Sequence, residues 1–273
     1  NAPSSRSNST AWIDSTGHLW LFGGLYTTWD STSSVAVPNT FSDLWSYDPT
    51  SKQWTWVDGS TAMNDPTNNY GTKGVGDVNN LPPTRAGASG WTDSNGLLWL
   101  LGGGNVNSPL GDLWTYNPGN QEWTWVGGPN QNTAVTTDLL GSYGTRGTSV
   151  STNWPGARVA SVVWTDKTGL VWLFGGLGYD AAAASGGTAS IGSLNDLWTF
   201  SPSSGQWTWV GGAVAANTNG QYGTQGAGAS GNTPGARSAS AGWLDATGHL
   251  WLFGGSGLDG AGNSGDLNDL WRF

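Results

Sequence analysis

The strongest constraint on this chain is a stretch that it repeats four times. Residues 234–255 read Pro-Gly-Ala-Arg-Ser-Ala-Ser-Ala-Gly-Trp-Leu-Asp-Ala-Thr-Gly-His-Leu-Trp-Leu-Phe-Gly-Gly, and the same pattern starts around Arg6, Arg85, Arg158 and Arg237. The arginines recur every 73 to 79 residues. Such a period marks supersecondary units that bury their faces against copies of themselves. The repeats run approximately over 1–60, 61–130, 131–213 and 214–273 of one domain.

Each repeat holds up to four apolar pieces. The first follows the arginine and ends at Trp12, Trp91, Trp164 or Trp243. An Asp-x-Thr/Asn-Gly turn comes next, at Asp14, Asp93, Asp166 and Asp245. Aspartate bonds the backbone at the start of such a turn and glycine supplies the positive φ at its end. The second piece reads Leu-Trp-Leu-Phe-Gly-Gly or a close variant, apolar on both alternating faces, so both sides of this strand are expected to be covered. The third is Asp-Leu-Trp-x-Tyr/Phe, beginning at Asp43, Asp112, Asp196 and Asp269. The fourth is Trp-Thr-Trp-Val, at Trp54, Trp123 and Trp207, with two indoles on one strand face. Eighteen of the 20 tryptophans fall on this grid, which makes them core rather than a recognition surface. The repeat starting at Arg237 has no fourth piece and is expected to lack its outer strand.

Composition agrees with an all-β chain. There are 45 glycines, and Glu122 is the only glutamate among 18 acidic residues. Aspartate suits turns where glutamate suits helices. The net charge of −9 and the scattered basic residues argue against nucleic acid as a partner. With no cysteine, the chain has no disulfide and no thiolate chemistry. No apolar run is long enough for a membrane-spanning helix.

The double glycine after an apolar run, then a tyrosine, six residues and a tryptophan resembles the kelch repeat. Tyr47 to Trp54 and Tyr116 to Trp123 fit, and Phe200 to Trp207 keeps the spacing without the hydroxyl. The repeats here are longer than the roughly 50 residues of kelch. The resemblance implies a β-propeller of four-stranded antiparallel blades, four units present with the last lacking its outer strand. Four-stranded sheets apolar on both sides would stack on one another in that arrangement. The related galactose-oxidase group builds a copper site with a cysteine–tyrosine crosslink, which a chain without cysteine cannot form. The sialidase Asp-box does not fit either, since Asp14 and Gly17 stand one position too far apart.

The long connectors would share one face of such a disc, where binding is expected. Tyr26, Trp29 and Phe41 in residues 25–42, and Tyr179 beside a small-residue run in 177–195, are the candidate exposed aromatics, with Trp154 the other tryptophan off the grid. The recurring Tyr-Gly-Thr segments at Tyr70, Tyr143 and Tyr222 read as structural. Arg6, Arg85, Arg158 and Arg237, each placed at the start of a first strand, either hold an acidic ligand near an axis or pair with the aspartates that begin the third strands. The pairing is the stronger expectation. Asp259, Asn263 and Asp266 offer oxygen ligands for calcium, without EF-hand spacing and without a glutamate. His18 and His249 occupy a slot that elsewhere holds leucine, so it is not a metal site.

No catalytic set emerges, and no cofactor beyond calcium is suggested. The expected function is a non-catalytic, extracellular, periplasmic or cell-surface module of a bacterial protein. Its partner is another protein, or a further segment that completes the propeller. The alternative is a glycan-binding propeller that stacks sugars on the loop aromatics.

Overall fold

The computed structural model describes residues 1–30, 34–105, 107–181 and 190–273. Most of the small-residue run after Tyr179 lies outside the described residues. The fold is all-β, with a single 3-10 turn, Thr136–Leu139, among the described residues. Two compact units emerge, Asn1–Ser108 with Asp112–Asn130, and Pro109–Gly111 with Gln131–Phe273. Each contains two of the sequence repeats.

In the first compact unit, one sheet joins β1 (Thr10–Ile13), β2 (Leu19–Phe22), β5 (Leu44–Asp48) and β6 (Gln53–Asp58). Between β2 and β5 runs a ribbon of β3 (Leu25–Asp30) and β4 (Val35–Thr40). The second sheet joins β7 (Ser89–Thr92), β8 (Leu98–Leu101), β11 (Leu113–Asn117) and β12 (Glu122–Gly127), with β9 (Gly104–Asn105) and β10 (Ser108–Pro109) as two-residue pieces of its inner connector. All pairings are antiparallel and follow the chain as a meander. These two sheets pack face to face: Trp12, Trp20, Phe22 and Leu44 meet Leu98, Leu100, Trp114, Tyr116 and Trp123 in one core.

The other compact unit repeats the plan. Its first sheet contains β13 (Arg158–Val159), β14 (Val162–Thr165), β15 (Val171–Tyr179), β16 (Ile191–Ser201) and β17 (Gln206–Gly211). Its second joins β19 (Ala241–Leu244), β20 (Leu250–Phe253) and β23 (Leu270–Arg272). A small three-stranded sheet, β18 (Arg237–Ser238), β21 (Ser256–Leu258) and β22 (Ser264–Asp266), extends beside it. Val162, Trp164, Phe174, Leu250 and Leu252 form the core. The expected meander of four pieces is therefore present in three repeats, and the repeat starting at Arg237 has three of them.

Two expectations need correction. The arginines do not begin the first strands. Arg158 and Arg237 lie in the separate strands β13 and β18, and a left-handed residue then turns the chain, Ala160 at φ 55° and Ala239 at φ 56°. The connector over 25–42 is not an irregular loop. It is a ribbon that continues the sheet edges past the double glycine, because residues on either side of the kink keep pairing. In β15 and β16 the strands run through the kink itself, with a register shift between Phe174 and Gly176. Glycine is required there: Gly175 has φ +60°, and a Cβ on it would strike the carbonyls of Arg237 and Leu194.

Candidate functional site

The aspartate of each hairpin turn has two tasks. Asp14 Oδ1 accepts the N–H groups of Thr16 and His18, and Asp14 Oδ2 accepts the indole N–H of Trp20 at 2.8 Å. Asp93, Asp166 and Asp245 hold Trp99, Trp172 and Trp251 in the same way, at 2.9, 3.0 and 2.9 Å. His18 and His249 turn Nδ1 toward the hydroxyls of Thr16 and Thr247 at 2.6 and 2.7 Å. All four carboxylates are spent on the fold.

The arginines are spent as well. Arg85 meets Asp112 through two N–H donors, at 2.7 and 2.8 Å, and a third bond reaches the Gly102 carbonyl. Arg6–Asp43, Arg158–Asp196 and Arg237–Asp269 are built alike. Every guanidinium is buried. The same aspartates accept the indoles of Trp45, Trp114, Trp198 and Trp271. Three of them also accept a tyrosine hydroxyl, from Tyr70, Tyr143 and Tyr222. Burial works against the charge on Arg85 and Arg158, but the facing carboxylates outweigh it and hold both guanidiniums protonated. Burial and the Asp196 charge push the Tyr143 hydroxyl well up, so it stays a donor. The ion-pair expectation is met, and the arginines do not point into solvent.

The candidate aromatics are not gathered into one platform. Tyr26 and Trp29 are exposed on β3, Trp29 by 68%, but they stand three residues apart and so face opposite sides of the ribbon. Phe41 is buried rather than exposed: its backbone bridges Arg85, and the Arg6 guanidinium lies 4.1 Å from its ring centre. Trp154 is half-buried, donating to the Gly111 carbonyl at 3.0 Å with its ring edge-on to Trp207. Tyr179 is half-buried inside β15, paired with Ile191. The calcium set is not assembled either. Asp259 closes its own turn by accepting Ala261 N, Asn263 N and Asn263 Nδ2. Among the described residues, no group of three acidic or histidine side chains is placed to hold a metal.

One surface was not anticipated. Trp56, 51% exposed, borders a shallow cavity of about 340 Å³ with Asp58, Ser60, Thr61, Asp65, Thr67 and Leu81. Its counterparts are covered. Tyr70 meets Trp125 edge-on at 5.3 Å, and Tyr143 meets Trp209 at 5.6 Å. The Tyr70 and Tyr143 segments thus lie over the outer strands of the repeats they introduce, and the β6 strand has no such cover among the described residues. Ser60 Oγ donates to Asp65 at 2.5 Å, leaving hydroxyl and carboxylate oxygens beside the open indole face.

No protein-family model matches the chain, and no curated protein matches it.

Proposed function

We propose that the chain forms kelch-like propeller blades and serves, without catalysis, as a protein-interaction or structural module outside the cell. The carrying observation is that its repeated ionisable groups, the four arginines and the eight aspartates that recur with them, are consumed in internal bonds. Binding is left to what does not repeat, above all the β3–β4 ribbon that carries Trp29. The blade reading draws support from the face-to-face packing of paired sheets, which recurs in both compact units. The absence of cysteine and the low charge agree with an extracellular setting. Electron microscopy of the native particle tests the blades: a disc with a central channel is expected, and sheets strung out in a line would overturn the reading.

The cavity at Trp56 favours one alternative, a glycan site. An exposed indole beside hydroxyl and carboxylate oxygens is the chemistry that stacks and orients a sugar ring. A glycan array separates the two readings. Specific binding that Trp56→Ala abolishes and Trp29→Ala leaves intact would select the glycan; no specific binding selects the protein module.

A further inference from the structure

The apolar seam between the two sheets of the first compact unit contains three polar side-chain atoms. Phe22, Leu44 and Asp58 are register partners across β2, β5 and β6, so they share one face of their sheet. Phe22 and Leu44 lie in the core with Trp114, Tyr116 and Trp123 of the facing sheet. The Phe22 ring is edge-on to Trp123 at 5.2 Å, and Trp123 meets Tyr116 at 5.0 Å. This row therefore turns Asp58 toward β11 and β12. Burial first, and then the Asp58 charge, hold the Tyr116 hydroxyl well above its ordinary value, so it stays protonated.

Asp58 Oδ2, Tyr116 Oη and Trp123 Nε1 are each buried, and none has a hydrogen-bond partner among the described residues. Asp58 Oδ1 is satisfied by the Gly59 N–H at 2.7 Å, and Asp58 is in no ion pair among the described residues. The Tyr116 and Trp123 side chains are fully buried. Native interiors seldom leave such groups bare, because each gives up its water and gains no bond in return. The repeat does not require all three. Where β6 holds Asp58, β12 and β17 hold Gly127 and Gly211, and where β11 holds Tyr116, β16 holds Phe200. Trp207, which pairs with Phe200 as Trp123 pairs with Tyr116, also has an Nε1 without a partner. The indole thus belongs to the repeat, and the acid and the hydroxyl are additions that face it.

The chemistry of the three atoms selects what binds them. A cation is repelled by the indole N–H, which can only donate, and an anion is repelled by the carboxylate. An apolar group would leave all three unbonded. A neutral molecule that both donates and accepts satisfies the set, and in a seam packed with rings the smallest one fits best. We propose that Asp58, Tyr116 and Trp123 form the seat of one buried water molecule, which accepts from the Trp123 indole, donates to Asp58 Oδ2 and shares a bond with Tyr116 Oη. Three polar partners are what a buried water usually has. Asp58 also borders the surface cavity beside Trp56, which gives the water a path in. The water ties β6 of one sheet to β11 and β12 of the other. The tie is directional, where the ring packing around it is not, and it holds the two sheets in one alignment.

Two measurements on the whole chain test this. In NMR at about pH 7, the Trp123 indole proton should show a cross-relaxation peak to a long-lived water, and the Trp114 indole, which is bonded to Asp112, should show none. Tyr116→Phe should keep the peak, since two partners remain, and this excludes a signal relayed through the tyrosine hydroxyl. Asp58→Asn should keep it as well, because the amide oxygen still accepts. Asp58→Leu should reduce it about fivefold or more, since the acceptor is gone. A crystal structure of the wild-type chain gives the second reading, which does not depend on any variant folding. One water is expected within about 3.2 Å of all three atoms. Direct contact between Trp123 Nε1 and Asp58 Oδ2, an ion in the seam, or a Trp123 peak that survives Asp58→Leu unchanged would each overturn the proposal. None of these results bears on the proposed function, which rests on other groups.

Discussion

The indole N–H of Trp12 donates to the main-chain carbonyl of Trp99 at 2.9 Å, from a strand of one sheet to a strand of the next. Trp164 makes the same bond to Trp251 at 3.1 Å. The indole is therefore both filler and polar tie between packed sheets, which phenylalanine cannot be. Trp12→Phe keeps most of the apolar area but leaves the Trp99 carbonyl buried without this donor. A loss of about 1–3 kcal/mol is expected, the usual cost of a stranded buried group. Urea unfolding followed by circular dichroism measures it.

The Arg85–Asp112 pair is the most enclosed of the three that have a tyrosine in the network, with Arg85, Asp112 and Tyr70 all buried. Arg85→Ala strands a carboxylate away from water, and about 3–5 kcal/mol of stability should be lost. Tyr70→Phe removes one donor to Asp112 and should cost less, about 1.5–3 kcal/mol for a bond to a charged group. A double-mutant cycle in denaturant separates the pair from simple cavity effects.

Strand pieces and charge pairs were legible because every repeat carries the same pieces in the same order, although the arginine and aspartate lie 37, 27, 38 and 32 residues apart. Asp112 lies 27 residues from Arg85, and both recur together, so the pairing could be inferred from repetition alone. The burial of Phe41 was not legible: it depends on Arg85, from the following repeat, and on Arg6. The opening at Trp56 has a similar origin. The Tyr-Gly-Thr connector covers a strand that follows it by about one sheet, as Gly74 covers Trp125, so a period shows that both exist but not which lies on which. The β3–β4 ribbon was missed because polar threonines and Pro38 read as loop, while pairing carried over from the sheet below.

Acid should loosen the compact unit that contains Asp269. Burial works against its ionisation, but bonds from Arg237, Tyr222 and Trp271 outweigh that and bring its carboxyl from 3.8 down to about 2. A carboxylate held low when folded adds stability that is fully present above its unfolded value and is lost as pH falls through the folded one. Asp14 and Asp166 are held low too; burial opposes this, and bonds from threonine and tryptophan neighbours prevail. Stability should fall from about pH 4 toward pH 2. Tyr222→Phe removes one donor, so the Asp269 carboxyl should titrate higher in a carbon-detected NMR titration; an unmoved titration would remove the tyrosine from this account.

Asp58 behaves in the opposite sense. Burial raises its carboxyl above 3.8, and the Gly59 N–H that it accepts offsets this only in part. The equivalent register positions hold Gly127 and Gly211, so the fold does not need an acid there. For an acid raised in the folded state, stability is fully present below the unfolded value and is lost as pH climbs through the folded one. Asp58→Asn keeps an acceptor for Gly59 and removes the charge. It should raise the melting temperature at about pH 7 and leave it unchanged near pH 3, where the wild-type carboxyl is already protonated in both states. Calorimetric scans at the two pH values check this, and an equal shift at both would show that packing rather than charge sets the effect.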